Sequence, residues 1–147
     1  MRILYRMAIE MNIVVIDGQG GKMGAQLIKA ILERFPSQQI AAVGTNTAAA
    51  ALMLKSGASH AATGENAVKV ACRKADVIIG PLGIVIADSL YGEITPAMAL
   101  AVAQSDAVRI LLPVNKCDNI VVGVESKSMS QLIDETLERL AALKISQ

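Results

Sequence analysis

Short apolar runs alternate with longer stretches of helical pattern along most of the chain. Each run is rich in Val, Ile or Ala and is bounded by glycine, proline or polar residues. Runs of this kind are typical of strands that are buried on both faces of a parallel sheet. The pattern therefore predicts six strands, the third of them weak, at 12–16, 39–44, 60–62, 76–80, 108–114 and 119–124.

Between these runs the apolar residues recur at helical spacing. In the first such stretch, Lys22 to Phe35, they recur every four residues, and Pro36 ends the pattern. Further helices are predicted at 45–57, at 66–74, from Pro96 and from about Ser128. Residues that favour helix N-termini precede three of them: Thr45 or Asn46, then Thr95 with Pro96 behind it, and Ser128 with Gln131 completing a capping box.

Strand–helix alternation predicts an α/β fold, a single Rossmann-like doubly wound sheet that is mostly parallel. We expect the strand order 3-2-1-4-5-6. Only "NKCD" (115–118) separates the last two strands. A parallel crossover needs about a dozen residues, so strand six should run antiparallel at the edge.

The chain of 147 residues has the size of one domain, and no internal repeat divides it. Residues 1–10 are predicted to be an N-terminal extension, because Met11 directly precedes the first strand and could be the natural start. Residues 11–147 are predicted to form the Rossmann-like domain.

Composition narrows the function classes. The chain is 53% hydrophobic and 18% charged, which indicates burial in a core and in a subunit interface. The longest apolar stretch, 77–90, contains Pro81 and Asp88 and is shorter than the roughly 20 residues of a membrane span, so no membrane partner is expected. A net charge of +1 and three aromatic residues disfavour nucleic acid. Two distant cysteines and one histidine match no metal site, and a cytoplasmic protein is expected.

Four glycines, at 18, 20, 21 and 24, directly follow the first strand. Ligands of open α/β sheets bind beyond the carboxyl ends of the strands, where the strand order reverses. Glycines there let the backbone approach a phosphate, and the helix beginning near Lys22 directs free N–H groups at an anion. This predicts a nucleotide or small phosphorylated ligand such as NAD or NADP, provided that the amides are free and no side chain fills the hollow. Alternatively, the glycines serve only close helix–strand packing.

The glycine spacing is G-x-x-G-x-x-G. The common dinucleotide fingerprint would need glycine where Met23 stands, and the loop does not match a P-loop. With this spacing and with Met23 before the last glycine, the loop resembles the first loop of dihydrodipicolinate reductase. In that family the loop holds the pyrophosphate of NAD(P)H. NAD-binding proteins usually carry an acidic residue at the end of strand two, whereas that strand here ends "VGTN" without one.

Further loops are expected at the same edge of the sheet: "GTN" (44–46), "TGEN" (63–66), "GPLG" (80–83) and "PVNKCD" (113–118). The predicted binding residues are Gly18, Gln19, Gly20, Gly21, Lys22, Met23, Gly24, Gly44, Thr45, Asn46, Gly80, Pro81, Leu82, Gly83, Asn115 and Lys116.

No catalytic residue can be assigned from the sequence. Cys117 could be a nucleophile beside Lys116, but a plain hairpin turn is the preferred interpretation of both residues, because no histidine that could act as a base is near them in the sequence. Asp88 and Glu93 lie in the apolar segment "IVIADSLYGEI" (84–94) and suit either a general base or an interface hydrogen bond. That segment is the expected homodimer interface, since its apolar residues would otherwise form an exposed patch.

Longer segments point to a family. "VVIDGQGG", "AVGTN", "ATGENA", "DVIIGPLGIVIADSLYGEITPAMA" and "LLPVNKCDNIVVGV" resemble an uncharacterised bacterial family of small Rossmann-like proteins, domain-of-unknown-function family 3842. The resemblance implies the fold and no reaction. Two functions stay open, namely a nucleotide-binding protein that is enzymatic or not, and a non-catalytic metabolite sensor or partner-binding module acting as a homodimer.

Overall fold

A computed structural model describes residues 11–114 and 118–146, so the predicted N-terminal extension lies outside the described residues. Strands and helices alternate along this part of the chain. They are β1 (Ile13–Asp17), α1 (Lys22–Arg34), β2 (Ile40–Gly44), α2 (Thr47–Lys55), β3 (His60–Thr63), α3 (Glu65–Lys74), β4 (Val77–Pro81), a short 3-10 helix (Leu82–Val85), α4 (Pro96–Gln104), β5 (Val108–Leu112) and α5 (Met129–Ile145).

The five strands form one parallel sheet in the order β3-β2-β1-β4-β5, which confirms the predicted order for these strands. β1 lies in the centre, where Ile13 pairs with Ile40 of β2 and with Val77 of β4. Its side chains alternate between two cores. Ile13 and Val15 pack on the side of α1, α2 and α5, whereas Val14 and Ile16 pack on the side of α3 and α4. The central strands β1 and β4 are therefore covered on both faces, as their continuous apolar runs predict.

Three helices begin directly after capping residues that the sequence predicts. Asn46 Oδ1 accepts from the Ala49 amide at 2.8 Å, and Thr95 Oγ1 accepts from the Met98 amide at 3.1 Å. At the start of α5, Ser128 and Gln131 form a reciprocal capping box. Each cap satisfies a first-turn N–H group that has no partner inside its own helix.

The predicted sixth strand is not formed, and that part of the fold prediction is wrong for the residues that the structure describes. Residues 119–124 belong to no strand, and a turn closed by the Val124 amide and the Val121 carbonyl at 3.4 Å interrupts them. Gly123 has a φ of +87°. Ile120 and Val122 are 92% and 93% exposed, so this β-branched run has no partner strand among the described residues.

Segment 84–94 is packed differently from the prediction. Ile84, Leu90 and Ile94 are buried in the core beside α3 and α4, so they form no exposed patch. Tyr91 is the exception, with 99% of its surface exposed. The argument for a dimer interface at this segment is thus lost, and the homodimer itself stays a prediction. Among the described residues, no helix combines the length and the apolar character needed to cross a membrane.

Candidate functional site at the carboxyl edge of the sheet

Asp17, the last residue of β1, anchors the loop at 18–24, which contains the four glycines and is called the glycine loop. Its side chain is 4% exposed, and its two carboxylate oxygens accept from the amides of Gly18 and Gly24, each at 2.8 Å. The Gly21 amide donates to the Gly18 carbonyl at 2.9 Å, which closes the turn before α1. A single buried carboxylate therefore ties both ends of the loop together.

Burial controls the titration of Asp17. Removal from water raises the pKa of this carboxyl, the amides of Gly24 and Gly18 partly offset that rise, and the charge of Glu93 adds to it. The net pKa lies above its ordinary value. Asp17 therefore serves the structure by accepting hydrogen bonds from the loop, and burying its charged form costs free energy.

Three of the four loop glycines are required for packing. A Cβ on Gly21, whose φ is +74°, would lie 2.7 Å from the backbone of Ala49 in α2. A Cβ on Gly24 would lie 2.5 Å from Met53 Sδ. One on Gly18 would lie 2.5 Å from Thr45 Oγ1. By contrast, a Cβ on Gly20 would meet no atom within 4 Å. The packing interpretation thus holds for three glycines, and Gly20 alone faces open space.

Glu93 reaches the glycine loop from the segment that follows β4. Its Oε2 accepts from the Gln19 amide at 2.7 Å and from Thr45 Oγ1 at 2.8 Å, and its Oε1 accepts from Asn46 Nδ2 at 3.0 Å. Asn46 Nδ2 also donates to the Gln19 carbonyl at 2.9 Å. The glycine loop, the end of β2 and the segment after β4 therefore meet at one carboxylate.

The hydrogen bonds keep Glu93 ionised. Partial burial raises the pKa of this carboxyl, but the bonds from Gln19, Thr45 and Asn46 together outweigh that effect, and the pKa lies below its ordinary value. Sequence reasoning left the role of Glu93 open between a base and an interface residue. Its contact with Gln19 spans 74 residues, and no local spacing reports such a contact.

Glu93 is presented by a strained turn. Asp88, Leu90 and Tyr91 have φ values of 64°, 56° and 56°, and Gly92 follows with 86°. Residues other than glycine rarely adopt this left-handed conformation, which costs about 1 kcal/mol or more for each. The Asp88 amide donates to the Ile94 carbonyl at 2.7 Å, which closes the turn.

A second polar contact joins the same edge. Thr95 Oγ1 donates to Glu65 Oε1 at 2.7 Å and so links the start of α4 to the start of α3. The hydrogen bond from Thr95 and then the charge of Lys69 lower the pKa of Glu65. The loop at 63–66 therefore joins this edge, as predicted, although through Thr95 rather than through the glycine loop.

The remaining predicted residues are placed less favourably for a ligand. A Cβ on Gly44 would lie 2.5 Å from the Ala50 amide nitrogen, and one on Gly80 would lie 2.5 Å from the Ile16 carbonyl oxygen, so both glycines serve packing. Pro81 and Gly83 are buried, and Leu82 lines a cavity of about 680 Å³ beside β5. Asn115 and Lys116 lie outside the described residues, as does Cys117.

The amides of the loop divide into engaged and free groups. Those of Gly18, Gln19, Gly21 and Gly24 donate to the protein's own oxygens. Three others, those of Gly20, Lys22 and Met23, donate to no acceptor among the described residues. Lys22 is exposed as the first residue of α1, and the Met23 side chain is buried in the core. The predicted requirement for free amides is met only at this helix start.

The described part of the chain brings no metal-binding cluster of three or more His, Cys, Asp or Glu residues together. Cys72 is buried in α3, and burial raises the pKa of its thiol to about 11. A thiol in this environment is a poor nucleophile at neutral pH. Cys72 is therefore not a candidate nucleophile.

Comparisons with known proteins identify the family and no relative of known activity. No curated protein and no solved structure matches the chain. The likeness of the glycine loop to dihydrodipicolinate reductase rests on the loop sequence alone. The model of the family described as "Domain of unknown function (DUF3842)" matches residues 12–144, and the chain therefore belongs to that family.

Proposed function

We propose that the carboxyl edge of the sheet binds a nucleotide, with a phosphate on the free amides of Gly20, Lys22 and Met23 and a ribose beside Glu93. One observation carries the proposal: an ionised carboxylate is held by donors from both the glycine loop and the end of β2. In dinucleotide-binding sheets the ribose hydroxyls bond an acid at this position. Glu93 supplies that acid from another segment.

The hydrogen bonds of Glu93 leave room for such a hydroxyl. Oε1 accepts one hydrogen bond, from Asn46, whereas Oε2 accepts two. A carboxylate oxygen accepts about two hydrogen bonds, so Oε1 has capacity for one more. The ionised carboxylate repels a 2′-phosphate, and we therefore propose NAD rather than NADP as the preferred cofactor.

The charges around the loop favour a weak complex. Asp17 and Glu93 place two carboxyl groups beside the glycine loop, and the basic group at the free amides is the exposed Lys22. The phosphate would be held by amides at the start of α1 and by the helix dipole. We expect a dissociation constant in the high micromolar range or above.

A metabolite sensor is the second candidate function, and the strained turn at 88–92 favours it. Glu93 directly follows this turn, so a ligand that bonds Glu93 acts on a segment of unfavourable backbone conformation. Strained segments of this kind are common at switches. Hydrogen exchange would separate the two functions, because a sensor predicts altered exchange at Tyr91 and Gly92 on binding.

Isothermal titration with NAD⁺, NADP⁺ and AMP tests the binding proposal. We expect NAD⁺ to bind at least about tenfold more tightly than NADP⁺ (about 1.4 kcal/mol). Glu93→Gln should narrow that ratio, and Gly20→Val should weaken every nucleotide because its side chain projects into the open space. Glu33→Gln, on an exposed residue of α1, is the matched control. Absence of binding by all three nucleotides at millimolar concentration would refute the proposal.

A further inference from the structure

β5 leaves one edge of the sheet open. Within the described residues it pairs only with β4. The Val108 amide donates towards that side, to the Asp76 carbonyl at 3.0 Å. Since successive residues of a strand direct their amides to opposite sides, those of Arg109 and Leu111 point away from the sheet. Such an edge is a template for another strand.

A strand-like segment that is not used as a strand follows in the sequence. Its apolar residues are Ile120, Val121, Val122 and Val124, and all four are exposed. β-branched side chains are typical of strands, and exposing several of them together is unfavourable in water. The chain therefore carries both an open edge and a segment suited to cover one. We call residues 120–124 the exposed segment.

The exposed segment does not cover the edge of its own chain. Both border a cavity of about 680 Å³, with Val108 to Pro113 and Val121, Gly123 and Val124 among its lining residues. α5 closes this cavity through Leu132 and Leu143. None of the residues that the structure describes pairs with the outer edge of β5.

We propose that the exposed segment adds as a strand to the edge of β5 in a second copy of the chain, and that the two copies exchange these segments reciprocally. Both complementary surfaces lie on one chain, so a twofold axis satisfies both contacts at once. Reciprocity also matters for size, because a stable interface buries about 800 Å² on each partner and one short strand alone buries less.

Charge supports the same pairing. Arg109 is exposed on β5, where its guanidinium donates to the carbonyls of Ser105 and Ala107, and Glu125, also exposed, directly follows the exposed segment. The reciprocal contact brings these opposite charges into one interface, where complementary charges help to set the register. This inference is independent of the proposed nucleotide site, which lies at β1 and β2.

Oligomeric state, measured by light scattering across a concentration series, tests the proposal on the full chain. We expect a dimer of the 15.4 kDa chain. Val122→Asp should raise the dimer dissociation constant at least about tenfold, because it places an uncompensated charge in the interface. The control is Leu54→Asp, at another exposed apolar residue, on α2, and it should leave the dimer intact. Both side chains are exposed, so neither variant should disturb folding.

Amide hydrogen exchange at Arg109 and Leu111 completes the test. Protection that rises with protein concentration and is lost in Val122→Asp supports strand exchange. Protection in a monomer, independent of concentration, would show that the segment closes its own sheet and would overturn the proposal. A monomer without protection, or a dimer that Val122→Asp leaves unchanged, would overturn it as well.

Discussion

Two regions of the sheet, one around β1 and β2 and the other around β5, differ in how far their polar and apolar groups find partners within the described chain. Around β1 and β2, the carboxylates of Asp17 and Glu93 accept hydrogen bonds from backbone amides of the glycine loop, and Gly21 and Gly24 pack against α2. Around β5, the sheet edge is open and the exposed segment leaves its apolar side chains in water. The comparison shows that most of the glycine loop is held by the protein's own side chains, whereas no described residue pairs with the outer edge of β5.

The largest expected effect comes from removing the acceptor under the glycine loop. Asp17→Ala leaves the buried amides of Gly18 and Gly24 without an acceptor, and we expect a loss of about 3 kcal/mol in the free energy of unfolding. Urea denaturation followed by circular dichroism measures it. Asp106→Ala, at an exposed acidic residue outside the loop, should change stability by less than about 0.5 kcal/mol. Equal effects of the two variants would contradict the structural role of Asp17.

The next largest difference in stability is expected between substitutions at two neighbouring glycines, Gly21 and Gly20. Gly21→Ala forces an alanine into a left-handed conformation and against the Ala49 backbone, so we expect a loss of about 2 kcal/mol. Gly20→Ala places a methyl group in open space and should alter stability by less than about 0.5 kcal/mol. Thermal unfolding of both variants distinguishes packing from exposure. Similar melting temperatures would break the contrast between these two glycines.

The smallest effect concerns the acidity of Glu93. Its pKa is lower in the folded than in the unfolded chain, so its contribution to stability is present above the ordinary pKa of a glutamate and is lost as pH falls through the lowered value. The raised pKa of Asp17 acts in the opposite sense in both proteins. Comparing wild type with Glu93→Gln between pH 3 and pH 7 measures the contribution of Glu93 together with its effect on the pKa of Asp17. We expect a difference below about 1 kcal/mol, because water screens this half-exposed group.

The elements that local sequence determines were predictable. Continuous apolar runs identify β1 and β4 because strands covered on both faces have no polar side to display. The caps at Asn46, Thr95 and Ser128 are recognisable because each bonds an amide three residues away. Interactions between residues this close in the chain can be recognised from the sequence alone.

The contacts between distant residues were not predictable. The run at 119–124 has the composition of a strand, but composition does not reveal whether a partner edge receives it. Gly20 and Gly21 are adjacent and identical, and only the approach of Ala49 gives them different roles. Asp17 carried a usable signal, since a charged residue ending a buried strand needs a partner. Glu93 carried none, because the fold alone brings it to Gln19.

The exposed ring of Tyr91 gives this protein an intrinsic optical reporter. The chain contains two tyrosines and no tryptophan, so its aromatic emission is simple. Tyr91 lies two residues before Glu93, at the outer surface of the turn that carries that carboxylate. In a Tyr5→Phe background, fluorescence changes arise from that ring alone, and any rearrangement of the turn becomes visible without an added label.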